Sequence, residues 1–72
     1  MPINGKKIRE LRTSKKLSQF GLALEIDVSK GTIEHIEKGR YDGKHNGQTV
    51  VTLERLAKFF GVKTDDILCN EN

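Results

Sequence analysis

Apolar residues recur at helical spacing in separate blocks along this chain, and polar residues with turn formers fill the gaps between them. The first block, near Gly5 to Lys15, sets Ile8 and Leu11 on one face of a helix. The second opens at Ser18, an N-cap residue type, with Leu17 and Leu22 at the two positions of a hydrophobic staple, so its helix starts near Gln19. Leu22, Ala23 and Ile26 form its buried stripe, and Ala23 is small enough for another helix to approach closely. Asp27 ends that helix, because aspartate tolerates a left-handed turn better than most residues. Val28 follows as an apolar plug, and Ser29 caps a third helix that runs to Gly39, a natural residue just past a helix end. Val28 and Ile33 repeat the staple; Ile33 and Ile36 face inward, while Lys30, Gly31, Glu34, His35 and Lys38 face outward.

A fourth helix is predicted over 49–60, with Thr49 as N-cap, Val50, Leu53, Leu56, Ala57 and Phe60 at helical spacing, and Gly61 as its stop. A last short helix, 64–68, carries Asp65 and Asp66, which suit the positive end of a helix better than a catalytic dyad. Phe59 and Phe60 cannot both face the core from one helix. One of them, or Ile67 and Leu68, is therefore expected on an apolar surface patch.

Two short helices joined by a tight turn between 18 and 38, with a filled core side and a polar outer side, are the outline of a helix-turn-helix and point to DNA. The order L-S-Q-x-x-L-A-x-x-I-x-V-S-x-x-T-I-x-x-I-E-x-G resembles the Cro/C1 (XRE-type) helix-turn-helix family of phage and bacterial repressors. The likeness extends upstream to KKIRELR and downstream to TLERLAKFFGV, so it covers roughly residues 5 to 68. It implies an all-α, compact four- to five-helix lambda-repressor-like DNA-binding domain with a central helix-turn-helix. The function it implies is that of a sequence-specific transcriptional regulator, a repressor before an activator.

On that frame the outward face of the third helix carries the base readout. Lys30 can donate to guanine, Thr32 can offer its hydroxyl or methyl, and His35 can donate or accept at a base edge. Glu34 is the weakest member of the set, being repelled by phosphate, and Gly31 lets the helix backbone come close. Gln19, Ser29, Lys38, Arg40, Lys44 and Arg9 are the expected phosphate contacts. By resemblance, Arg12 and Glu37 form a structural ion pair between the first helix and the end of the recognition helix. One readout helix contacts few base pairs, so a homodimer on a palindromic operator is expected.

Three features depart from the family pattern. Gly21 stands where an acidic residue usually completes the capping box, which removes a reciprocal hydrogen bond and about 1 kcal/mol of helix propensity relative to alanine. Gly31 stands where relatives often carry a base-contacting side chain. The loop 40–48, RYDGKHNGQ, is longer than the usual connection; with Arg40, Lys44 and His45 beside two glycines, it is either a phosphate-reaching arm or a plain insertion.

Composition agrees with this picture. Seventy-two residues suit a single domain over 1–72, and a chain of this size buries only about 60% of its unfolded surface, which calls for tight helical packing. The separate ligand-sensing or self-cleaving half of some larger repressors is not expected. The net charge is +3, but Lys6, Lys7, Arg9, Arg12, Lys15 and Lys16 against Glu10 place +5 on residues 1–16 and leave −2 on the rest. A basic first helix is well placed to cross a phosphate backbone, although a solvated lysine face would look the same.

No signal-like segment or membrane-length apolar run is visible, and the single Cys69 has no partner for an internal disulfide; both suit a cytoplasmic protein. Cys69, His35 and His45 match no metal-ligand spacing, and neither metal nor cofactor is expected. No nucleophile–base spacing, glycine-rich phosphate loop or apolar carboxylate cluster suggests an enzyme. The competing reading is a protein-interaction module on the same fold, an antitoxin or adaptor with a toxin or co-regulator as partner.

Overall fold

Each of the first three helices begins at a short polar side chain that closes its exposed amide end. In the computed structural model, which describes residues 3–39 and 47–68 with side chains from Val51 onward in the second stretch, these are α1 (Gly5–Ser14), α2 (Gln19–Ile26) and α3 (Lys30–Glu37). Asn4 accepts from the Lys7 amide at 3.1 Å, Ser18 from Gly21 at 2.9 Å and Ser29 from Thr32 at 3.2 Å. Each side chain thus satisfies one amide that the helix itself leaves unpaired. After α3 come α4 (Gly47–Phe60) and a 3₁₀ turn (Thr64–Ile67), where the Asp66 carboxylate accepts from the Lys63 amide at 3.2 Å.

The helix ends follow one rule. Lys16, Asp27 and Gly61 adopt left-handed backbone with φ of 58°, 62° and 70°. The next residue in each case, Leu17, Val28 or Val62, sends its amide back to the carbonyl of Arg12, Ala23 or Ala57 at 3.2, 3.0 and 3.0 Å. This is the Schellman closure, and its apolar last residue packs against the core all three times. Each of these three stops, those of α1, α2 and α4, is therefore also a contact that turns the chain back toward the centre.

Ile8 of α1, Leu22, Ala23 and Ile26 of α2, Ile33 and Ile36 of α3, and Leu56 and Ala57 of α4 form the core. Ile3 and Ile67 complete it from outside the four helices. Ile3 bridges to Leu68 in antiparallel fashion, and the Asn4 amide donates to the Ile67 carbonyl at 2.8 Å. Arg55 on α4 donates to the carbonyls of Ile26 and Asp27 at 3.1 and 3.3 Å, placing a cation on the negative end of α2 and fixing the turn before α3. Among the described residues, no helix is long and apolar enough to cross a membrane.

Two expectations are corrected. Helix four starts at Gly47, not after Thr49, so Thr49 lies within the first turn and the connection from α3 is shorter than 40–48. First-turn amides need no intrahelical partner, so the weak helix former Gly47 joins at little cost. The apolar surface patch is also elsewhere. Phe59 and Phe60 meet edge to face at 5.2 Å, both half-buried against the core, with the Lys15 ammonium 5.6 Å from the Phe59 ring centre, and Ile67 is fully buried. Among the described residues, the exposed large apolar side chains are Phe20 and Leu24 on α2, at 57% and 66% exposure, and Val51.

Gly5 marks the tightest approach between helices. A methyl group there would overlap the Ile36 carbonyl oxygen and press on the Glu37 backbone near the end of α3, with no flexible side chain to give way. Gly5→Ala is expected to destabilise the fold by about 1–3 kcal/mol, although alanine is the better helix former. Thermal unfolding should show this as a fall in Tm of several degrees, whereas an unchanged or higher Tm would mean that α1 and α3 are not packed this closely.

Candidate nucleic-acid interface

α3 divides into two faces as its sequence requires. Ile33 and Ile36 are fully buried against α2 and α1, and this anchors the opposite side outward. Lys30, His35 and Lys38 are exposed, while Gly31, Thr32 and Glu34 are half-buried along the same outer surface. Two of these side chains bond to neighbours on α3. The Lys30 ammonium lies 3.6 Å from the Glu34 carboxylate one turn on, a solvent-exposed pair that gives way easily to a stronger partner. The Thr32 hydroxyl lies 3.0 Å from that of Ser29. Around Gly31 a methyl group would meet nothing nearer than the Ser29 hydroxyl at 3.8 Å, so the backbone is open to approach from outside.

The expected phosphate contacts separate into groups. Arg9, Gln19 and Lys38 line one open groove, together with Ser18, Arg12 and Glu37. Ser29 sits at the other end of α3, in a cleft shared with Thr32, Val51 and Arg55. Arg40 and Lys44 lie outside the described residues, as do His45 and Cys69.

Arg12 and Glu37 meet across the floor of the first groove. Arg12 Nε donates to Glu37 Oε2 at 2.6 Å and Nη2 donates to Oε1 at 3.1 Å, a two-pronged pair with side chains only 12% and 6% exposed. Nη1 of the same guanidinium donates to the Leu17 carbonyl at 2.8 Å, in the turn leading to α2. The hydrogen bond to Glu37 raises the Arg12 pKa above its ordinary value, outweighing the opposing effect of burial, so the charge on Arg12 persists. Gln19 completes the cluster, its side-chain nitrogen donating to Glu37 Oε1 at 3.1 Å.

Sequence reasoning missed four of these features: the Asn4 cap, the close approach at Gly5, the Arg55 tie to the turn, and the Gln19–Glu37 bond. The first had a visible signal, an asparagine just before a basic amphipathic run. The other three join residues 18 to 32 positions apart, and nothing in local periodicity marks them.

A family model described as a helix-turn-helix domain matches residues 5–72. The chain is 39% identical over 66 residues to an uncharacterized HTH-type transcriptional regulator of Methanocaldococcus jannaschii, a match spanning 92% of either chain. It is also 39% identical over 62 residues to the cryptic phage CTXphi transcriptional repressor RstR of Vibrio cholerae, covering 86% of this chain and 51% of that one. Among solved structures it is similar to the restriction-modification controller protein C.AhdI from Aeromonas hydrophila, with a TM-score of 0.70 and 27% identity over 86% of each chain. With two capped helices, the left-handed turn at Asp27 and flanking helices all in the matching order, the chain belongs to the helix-turn-helix domain family.

Proposed function

We propose that this protein is a DNA-binding transcriptional regulator that acts as a repressor, placing α3 in the major groove of a duplex operator. The observation that carries the reading is the form of α3: a ridge of buried isoleucines fixes it to the body, and its other side, among the described residues, is a polar surface with Lys30, His35 and Lys38 exposed. The names of its relatives, a transcriptional regulator, a repressor and a controller protein, support regulation over a role as an adaptor.

In this reading Lys30, Thr32 and His35 read base edges, Glu34 holds Lys30 in place, and Gly31 brings the helix backbone close to the bases. Arg9, Gln19 and Lys38 on one side and Ser29 on the other contact the phosphates, joined by Arg40 and Lys44 from the loop that follows α3. Two copies bind a palindrome with recognition helices about 34 Å apart, in the cytoplasm.

Titration with duplex DNA at two salt concentrations tests the reading directly. Affinity should fall steeply as salt rises, because phosphate neutralisation releases counterions; salt-insensitive binding, or none, would refute it. On a duplex selected from random sequence, His35→Ala should cost about 1–3 kcal/mol and change binding to unselected DNA little. Equal losses on both would remove His35 from the base readout.

Gly31 separates stability from recognition. Gly31→Ala has room for its methyl and gains helix propensity, so the fold should be stabilised by up to about 1 kcal/mol. DNA affinity should drop in the same variant if the backbone approaches the bases there. A rise in Tm with unchanged affinity would show that Gly31 stands clear of the DNA.

A further inference from the structure

Gln19 stands at the first position of α2 and opens onto the groove it shares with Arg9 and Lys38. Its amide is not free to turn. The side-chain nitrogen lies 3.1 Å from Glu37 Oε1, and a carboxylate can only accept hydrogen bonds. Rotating the amide by half a turn would set its carbonyl oxygen against a carboxylate oxygen. Glu37 cannot swing away to relieve that clash, because both its oxygens are held by Arg12, and Arg12 is itself tied to the Leu17 carbonyl. One N–H of Gln19 is therefore committed to Glu37. The second N–H, on the same nitrogen, is left for the groove. Arg12 also matches the Glu37 charge, so the carboxylate can fix the amide without presenting an unpaired anion to an incoming phosphate.

We infer that Glu37 is a positioning residue for DNA-backbone recognition: through its pair with Arg12 it holds the Gln19 amide so that a donor, and not the carbonyl oxygen, is offered to a phosphate oxygen. This rests on the DNA-binding reading above and adds a role to residues that otherwise serve only to join helices. Glu37 touches no DNA in this scheme; it acts through Gln19.

A double-mutant cycle on the whole protein tests it. Glu37→Ala alone would strand the Arg12 charge, so the pair is exchanged together, Arg12→Met with Glu37→Leu, which removes the acceptor and leaves no buried ion. In the otherwise wild-type protein the exchange should weaken binding to a selected duplex by about tenfold, the scale of one hydrogen bond to a charged group. In a Gln19→Ala background it should change binding by less than about twofold. Equal losses in both backgrounds, or no loss in either, would overturn the inference.

A second measurement needs no variant of the pair. In NMR spectra of the free wild-type protein the Gln19 side-chain amide should be as rigid as the backbone, and duplex DNA should shift chiefly the proton not bonded to Glu37. A freely averaging side chain in the free protein would overturn the inference even if the exchanged variant fails to fold. Absence of salt-dependent DNA binding by the wild type would refute the regulator reading itself, while the free-protein spectrum would still decide whether Glu37 holds the amide.

Discussion

The Arg12–Glu37 pair is the interaction through which the first three helices are tied to one another. Removing two charges from water is unfavourable by several kcal/mol per ion, so a nearly buried pair persists only when its remaining donors and acceptors are also used. Here they are: Arg12 gives two bonds to Glu37 and one to Leu17, and Glu37 takes a third bond from Gln19. Among the described residues no buried side-chain polar atom lacks a partner. One ion pair thereby joins α1, the turn after it, the first residue of α2 and the last of α3. Hydrophobic packing of isoleucines is tolerant of small rotations; a two-pronged pair with fixed directions is not. The core supplies most of the stabilisation, and the pair adds directed bonds between the helix ends.

Such ties matter because the two central helices could not persist by themselves. α2 and α3 have eight residues each, well below the length at which an isolated helix is stable in water. Their existence is tertiary. Ser18 and Ser29 close their starts, Asp27 and Val28 close the end of α2, and Arg55 reaches from α4 to hold the turn between them. On the proposed DNA-binding reading, a surface built this way is held where its isoleucines enter the body and free where its side chains face solvent. Such a surface offers fixed points for phosphates and adaptable groups for bases.

Much of the fold was legible because its rules are local. The caps at Ser18 and Ser29, the left-handed Asp27, and the stops at Gly39 and Gly61 are chemical necessities at single positions, and their residue types announce them. The isoleucine stripes follow from a period of 3.6. The Phe59–Phe60 error came from treating one helix as if it met one surface: both rings pack partly against the core, and the Lys15 ammonium sits over the Phe59 ring. Thr49 misled because a threonine that can cap need not do so. The candidate interface was legible in its outward residues and less so in their partners. Periodicity places Gln19 at a helix start and Glu37 at a helix end, and only the folded chain sets them 3.1 Å apart.

The clasp between Asn4 and Ile67 bears on how the molecule comes into being. Nearly every contact within the helix-turn-helix joins sequence neighbours, and those close quickly as a chain emerges from the ribosome. The clasp joins positions at opposite ends of the fold, so it cannot form until Ile67 and Leu68 have been synthesised. Until then the nascent protein holds Ile3 without the partner it has in the finished fold. Delivery of residues 67 and 68 latches the helices to the start of the fold, and a ribosome that stalls before them leaves the domain unlatched.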